Sequence, residues 1–340
     1  MKQLIEIINN SSKPLLFTCS SEYHVLLTLC ILCKTEKNRK KSILMFSPTK
    51  SIVNNFKSIS ARIQGCNIKT FVFDKKTKLH RAVGISDRIN NSIKKEIYGF
   101  FGSTDYLLIN YSWNQQIVRY PASLYYRDVK ESLFIEEGAT QYVTPNENRL
   151  LVFLKRMYGN QTGFWEDNRL ESIYVQFPMR YPKYLQRKMR SFNPQDGLEL
   201  LSSNQKEQIC RMLCDDESYY ELKELKRGSY GIIFTAPFSE DGYISREEKK
   251  RVFGEIADYY SKYGNIVIKK HPRDTSDYNE LNNVLMLRGG YPSELYRMMG
   301  IRFNFAISMC SSAIETVDAD IRFNLNENYL KDKTYRLRPL

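Results

Sequence analysis

Histidine is scarce in this sequence, with 3 residues among 340, and tryptophan is scarcer, with 2. So few imidazoles speak against a zinc site, and the 7 cysteines do not supply one in their place. Cys30 and Cys33 have the spacing of a metal knuckle, yet they sit inside an apolar helical run with no second pair, and Cys210 and Cys214 are also at helical spacing. An odd number of scattered cysteines reads as buried, reduced thiols, the state that the cytoplasm maintains. Long hydrophobic runs are missing too. The most apolar, Val25 to Cys33, falls far short of the roughly 20 residues of a transmembrane helix. The N-terminus shows no charged start, apolar stretch and small-residue cleavage site, so a cytoplasmic protein without a secretory signal is expected. No Gly-rich dinucleotide fingerprint or P-loop follows an apolar run, which weighs against dehydrogenases and NTPases.

What is abundant is positive charge. Lys and Arg outnumber Asp and Glu by 51 to 38, a net charge of +13. That balance favours an anionic partner: a nucleotide-sugar, an acidic glycan, a membrane surface or nucleic acid. With 13% aromatic residues the chain can bury a sizeable core, and its length suits two domains.

Short apolar runs alternate with longer amphipathic stretches. Strands are expected near Leu15–Cys19, Ile43–Phe46, Thr70–Phe73, Tyr106–Asn110 and Leu133–Glu136, with helices at Tyr23–Lys34 and Ser51–Ile63. A second series follows at Gly231–Thr235, Ile266–Lys269, Val284–Leu287, Asn304–Ser308 and Ile321–Asn324. Between the first two of these lies a helix announced by a capping box, Ser245 with Glu248, and by an apolar face of Val252, Ile256, Tyr259 and Tyr263. The alternation predicts parallel sheets covered by helices, and two series predict two Rossmann-like lobes. The less regular middle, about 176–226, holds Pro178, Pro182 and Pro194 and the cations Arg180, Lys183, Arg187, Lys188 and Arg190. We place an N-terminal lobe at 1–190, a linker region at 191–226 and a C-terminal lobe at 227–340.

Ligands of doubly wound sheets bind beyond the carboxyl ends of the strands. Four polar groups have that address: Glu136-Glu137-Gly138, Ser239-Glu240-Asp241-Gly242, His271-Pro272-Arg273 and Ser311-Ser312. Singly each has a plain explanation, as a solvated turn, a strand-end histidine fixed by proline, or an N-cap. A His-Pro pair arises by chance in about one protein in ten of this composition. Glu294, after Pro292, reads equally well as a first-turn acid facing a helix dipole.

Together and in this order, the groups make the sequence resemble the bacterial sialyltransferases, above all glycosyltransferase family 52, which is marked by (D/E)(D/E)G, HP and S(S/T) motifs. The strings Pro237–Gly242 and Lys269–Asp274 are similar to that family as well, and so is the opening Phe17–His24, where the family more often carries Thr-Pro-Leu-Gln. The resemblance runs from about Leu15 to Asn324. It implies an α/β GT-B fold, two facing Rossmann-like lobes with parallel sheets. It also implies inverting transfer of sialic acid from CMP-sialic acid to a sugar hydroxyl, with galactose the expected acceptor, on capsular polysaccharide or lipooligosaccharide. CMP-sialic acid is a co-substrate and no cofactor is implied. A leaving group with one phosphate does not demand a divalent cation, because a histidine and helix N-terminal amides can stabilise its charge.

The resemblance assigns His271 to the CMP phosphate, which should raise its pKa, and Ser311 and Ser312 to the same phosphate. Asp241 is the preferred base and Glu137 the alternative, as the second acid of its motif plays that role in a related family. Glu294 would bind the ribose hydroxyls; Lys269 and Arg273 would meet phosphate or the sialyl carboxylate. Glu136, Gly138, Pro272, Ser20 and His24 complete the implied substrate-binding set. A UDP-hexose donor is the nearest rival reading. A nucleic-acid-binding protein is a distant one, since no nucleic-acid module is present and the basic residues are spread along the chain. The Arg180–Arg190 cluster, with Tyr181 and Tyr184, reads first as a solvated linker and second as a peripheral contact with the inner membrane surface. Linkage, acceptor and oligomeric state, a homodimer included, are not specified by these motifs.

Overall fold

Leu15–Cys19 and Ser42–Phe46 are apolar or small at nearly every position rather than alternating, and both are buried along their whole length. Strands of that kind are covered on both faces, which is the situation of a parallel sheet between helices. The computed structural model describes residues 1–35, 41–46, 53–65, 67–72, 85–111, 130–136, 170–181, 183–281, 284–309, 311–325, 337 and 339–340. These divide into two compact units, Met1–Gln205 and Lys206–Leu340, so the division falls inside the segment 191–226.

The first unit runs α1 (Lys2–Asn10), β1 (Leu15–Cys19), α2 (Glu22–Lys34), β2 (Ser42–Phe46), α3 (Val53–Ile63), β3 (Ile68–Val72), α4 (Ile85–Phe101), β4 (Leu107–Asn110), β5 (Glu131–Ile135) and β6 (Leu170–Val175). It continues with α5 (Lys183–Gln186), β7 (Met189–Ser191), α6 (Pro194–Glu199) and the start of α7 (Ser203–Leu213). Its strands form one sheet in the order β3-β2-β1-β4-β5-β6-β7, and every named pair is parallel. The apolar run expected to be too short for a membrane lies in α2, whose Val25–Ile31 stretch is buried. Among the described residues no helix is long and apolar enough to cross a membrane.

The second unit holds α8 (Asp216–Arg227), β8 (Tyr230–Phe234), α9 (Arg246–Ser261), β9 (Asn265–Lys269), β10 (Val284–Met286), α10 (Glu294–Met298), β11 (Arg302–Ser308) and β12 (Asp318–Asn324). Its sheet has the order β10-β9-β8-β11-β12, again parallel throughout. The core gathers Ile233 of β8, Phe253, Ile256 and Tyr260 of α9, Ile268 of β9 and Phe305 of β11. Gly231 is required by this packing: it pairs with Phe305, and a Cβ there would lie 2.0 Å from the Phe305 ring. Ser245 caps α9 by accepting from the Glu248 amide at 3.1 Å, while the Glu248 carboxylate holds Arg251.

The ten expected strands are all present, with ends shifted by at most three residues, the largest being the start of β12 at Asp318 rather than Ile321. The middle is more regular than its sequence suggested. Helices α7 and α8 bury Ile209, Cys210 and Leu213 and then Tyr219, Leu222 and Leu225. Asp215 caps α8 by accepting from the Ser218 amide at 2.8 Å, with Asp216 and Glu217 in its first turn and Lys226 and Arg227 in its last, each sign favourable to the helix dipole. Cys30 and Cys210 are buried thiols as expected, whereas Cys33 is half-buried.

Candidate functional site

In a parallel sheet the strand order reverses once, and the loops leaving the two strands at that point diverge to opposite faces, opening a crevice. In the second unit the reversal lies between β8 and β11. The exit of β8 therefore has those of β9 and β11 on either side, and these three exits carry Ser239–Asp241, His271–Arg273 and Ser311.

Beneath these loops lies a buried ionic cluster. Lys249 of α9 is fully buried, and its ammonium donates to Asp274 Oδ1 at 2.7 Å and to Glu240 Oε2 at 2.6 Å. Asp274 also accepts from the Thr235 hydroxyl at 2.6 Å, the Tyr278 hydroxyl at 2.9 Å and the Ser276 amide at 2.9 Å. Glu240 in turn accepts from the Thr275 amide and hydroxyl, each at 2.8 Å. Burial pushes the Glu240 carboxyl up, but Lys249 and the Thr275 hydrogen bonds outweigh it and hold the pKa at about 2. One lysine thus ties the loop after β8 to the loop after β9.

That tie positions His271. Its amide donates to Thr235 Oγ1 at 3.0 Å, and its Nδ1 accepts from the Arg273 amide at 3.1 Å. With Nδ1 used as acceptor, the neutral ring carries its proton on Nε2. Burial first, and the Arg273 guanidinium second, pull its pKa below the ordinary value, so the unliganded imidazole is neutral at pH 7. Arg273 grips Asp241 with both arms, Nη1 to Oδ1 at 2.5 Å and Nη2 to Oδ2 at 3.0 Å. Asp241 stands in a tight turn closed by Gly242, whose φ of +77° suits glycine. Pro272 is exposed. Ser311 caps a four-residue 3-10 turn, Ser312–Glu315, and its carbonyl accepts from Ser308 Oγ at 3.2 Å.

Lys269 and Glu294 are both buried. The Lys269 ammonium donates to the Tyr291 carbonyl at 2.9 Å and lies 3.4 Å from the centre of the Tyr291 ring. Burial raises the Glu294 carboxyl to about 7, against the opposing pull of its own backbone amide and of Lys269. A carboxyl that moves from 4.5 unfolded to about 7 folded binds more protons in the folded chain across that window. Stability therefore falls as pH rises from 4.5 to 7 and stays lowered above it. Glu294→Gln should gain about 3 kcal/mol on the wild type between pH 4.5 and about pH 7.5, read by urea denaturation; a difference independent of pH would rule out this titration.

In the first unit the reversal lies between β1 and β4. Ser20 leaves β1, and both its amide and its Oγ lie 3.1 Å from His24 Nδ1. His24 is buried, stacked on Tyr111 with ring centres 5.0 Å apart, and burial holds its pKa down at about 3. Thr18 donates to Asn110 at 2.6 Å and Thr28 to the Tyr111 hydroxyl at 2.9 Å, so the buried surroundings of this strand end are polar and closely tied. Glu136, at the end of β5, is buried and accepts from the Gln176 amide at 2.6 Å. Glu137 and Gly138 lie outside the described residues.

With this geometry in view, comparison with known proteins gives the following. Residues 172–323 match the model of glycosyltransferase family 52. The matched span runs from β6 into β12 and includes the loops bearing Asp241, His271 and Ser311. The match covers less than half of the chain. An uncharacterized protein of Haemophilus influenzae is 29% identical over 145 residues, 42% of this chain and 46% of that protein, so the chain spans less than half of that relative. Among solved structures, the UDP-GlcNAc 2-epimerase of Methanocaldococcus jannaschii is similar with a TM-score of 0.53 at 11% identity, over 93% of this chain and 85% of that one. The same epimerase in complex with UDP-GlcNAc and UDP gives 0.50 at 11% identity, over 91% and 88%. These likenesses show the fold, which is GT-B-like: two α/β units, each on a parallel sheet.

Sequence reasoning singled out Asp241, His271, Arg273 and Ser311, and the sheet order brings their loops to neighbouring strand ends. It did not single out Lys249, Asp274 or Thr235. The signal for Lys249 was its place on the buried face of α9, in register with Val252, Phe253 and Ile256.

Proposed function

We propose that the chain is an inverting, metal-independent sialyltransferase of family 52 that moves sialic acid from CMP-sialic acid to a sugar hydroxyl, galactose being the expected acceptor, of a capsular polysaccharide or lipooligosaccharide. The observation that carries this reading is the setting of His271 beside the β8–β11 reversal, with its amide and Nδ1 both engaged and Nε2 left to bear the proton. A phosphate arriving beside the ring counters the burial that keeps it neutral, and the imidazolium then stabilises the charge that builds on the leaving CMP. Ser311 and Ser312 assist at the same phosphate, and Glu294 meets the ribose.

On the acceptor side, the hydroxyl oxygen attacks the anomeric carbon as the bond from that carbon to the phosphate oxygen breaks. The hydroxyl proton passes to Asp241, or to Glu137 in the alternative assignment. Each Asp241 oxygen holds one bond from Arg273 and keeps a lone pair for the incoming hydroxyl. The family match and the positive charge of +13 support an anionic nucleotide-sugar donor.

Thermal stabilisation tests the donor. CMP at about 100 times its Kd should add about 2.7 kcal/mol, and UDP at the same concentration clearly less. Equal or greater stabilisation by UDP would replace the donor with a UDP-hexose. Transfer from CMP-sialic acid should also continue in excess EDTA, and activity that vanishes with chelator and returns with magnesium or manganese would overturn the metal-free mechanism.

A further inference from the structure

The segment between β6 and the edge strand β7 shows two large apolar side chains to solvent. Met179 is 81% exposed and Phe177 is 47% exposed. They are held there by the local fold. Pro178–Arg180 form a 3-10 turn closed by the Arg180 amide on the Phe177 carbonyl and the Tyr181 amide on the Pro178 carbonyl, at 3.0 and 3.1 Å. Tyr181 itself is buried against Ile173, Val175 and Met189, which anchors the turn to the sheet. The turn thus cannot fold Met179 inward without withdrawing Tyr181.

Along the segment itself the charge is of one sign, the Glu136 carboxylate that meets the Gln176 amide being buried. Arg180, Lys183, Arg187 and Arg190 are exposed, and no Asp or Glu occurs between Glu171 and Asp196. Arg180 lies over the Phe177 ring at 4.3 Å, so apolar and cationic groups share one surface.

We propose that this segment docks the protein on an anionic lipid bilayer, with Met179 and Phe177 entering the headgroup boundary and the four cations meeting lipid phosphates. Neither signal suffices alone, since a small apolar insertion and a short basic patch each give only weak, reversible attachment, and their combination is what holds a peripheral protein. A second copy of the chain is disfavoured because a two-fold contact would bring this basic patch against itself. Nucleic acid would use the cations but has no place for the ringless Met179, the most exposed large apolar side chain among the described residues, since single-stranded binding works by stacking bases on aromatic faces.

The test uses the full chain and sedimentation with vesicles. Binding to phosphatidylglycerol mixed into phosphatidylcholine should be strong at low salt and fall steeply as salt is added, and pure phosphatidylcholine should bind little. Met179→Asp should lower partition about tenfold. Arg187→Gln and Arg190→Gln should each lower it about fivefold. Lys2→Gln and Lys57→Gln, exposed positions elsewhere in the same unit, should leave it unchanged. The proposal is overturned if Met179→Asp binds as the wild type, or if the Lys2 and Lys57 variants lose as much as those at Arg187 and Arg190. It is overturned equally if vesicles are ignored while a labelled oligonucleotide, or the protein's own dimerisation, shows the same sensitivity to these substitutions. Because binding is read without donor or acceptor, failure here leaves the proposed reaction untouched.

Discussion

Asp241→Asn should lower turnover by roughly 100-fold or more while CMP affinity changes little. The amide keeps the size of the carboxylate but cannot take the acceptor proton, so the loss belongs to the transition state rather than to donor binding. Asp241 also holds Arg273, and losing that ion pair could by itself disturb the loop. Arg273→Ala separates the two effects. At saturating donor, where the expected contact of Arg273 with the donor's phosphate or carboxylate shows in KM, both variants lose turnover alike if the pair only shapes the loop; if Asp241 is the base, Arg273→Ala retains far more turnover. The pair is partly exposed, with side-chain accessibilities of 45% and 31%, so its direct effect on stability should be small. Should Glu137→Gln cause the larger loss and Asp241→Asn little, the base is Glu137.

Lys249→Met should destabilise the second unit by about 3–5 kcal/mol, the range for breaking a buried ion pair by removing one partner. The methionine fills similar space, so the cost arises from the carboxylates left behind. Asp274 keeps the Thr235, Tyr278 and Ser276 hydrogen bonds but loses its counter-charge, and Glu240 keeps Thr275, Ser239 and its own backbone amide. Adding Asp274→Asn and Glu240→Gln should recover part of the loss, since no charge is then stranded although each amide gives up one acceptor oxygen. The same Glu240 carboxylate contributes stability above pH 4.5 that is lost as pH falls toward about 2. Urea denaturation of the single and triple variants is the check. A single-variant loss under about 1 kcal/mol would mean that the cluster is solvated rather than buried.

Much of the fold was legible because the strands of a parallel sheet are apolar at nearly every position and so stand out as runs: Leu15–Cys19 and Tyr230–Phe234 announce themselves. Strand β7 does not, because it is a three-residue edge strand with only Met189 buried. Strand β6 is diluted by Glu171 and Ser172, one exposed and one buried, which breaks both the continuous and the alternating pattern. In the site, His271, Asp241 and Ser311 were visible as polar groups at strand ends. Lys249 was hidden in the charged run Arg246–Arg251, which reads as a solvated helix face. What buries it is Asp274, a residue 25 positions away that only the folded sheet brings near.

The position of β11 has a consequence for how the second unit is made. Strand β8 is the first of its sheet to leave the ribosome, yet one of its two neighbours is β11, which follows α9, β9, β10 and α10. Throughout that interval one edge of β8 stays without its ladder partner and Gly231 lacks the Phe305 ring that covers it. An open, apolar edge is what invites pairing between nascent chains. Slow passage through residues 235–301 during synthesis would therefore lengthen the period in which this edge is open to other chains, while the first unit already has all seven of its described strands to pair.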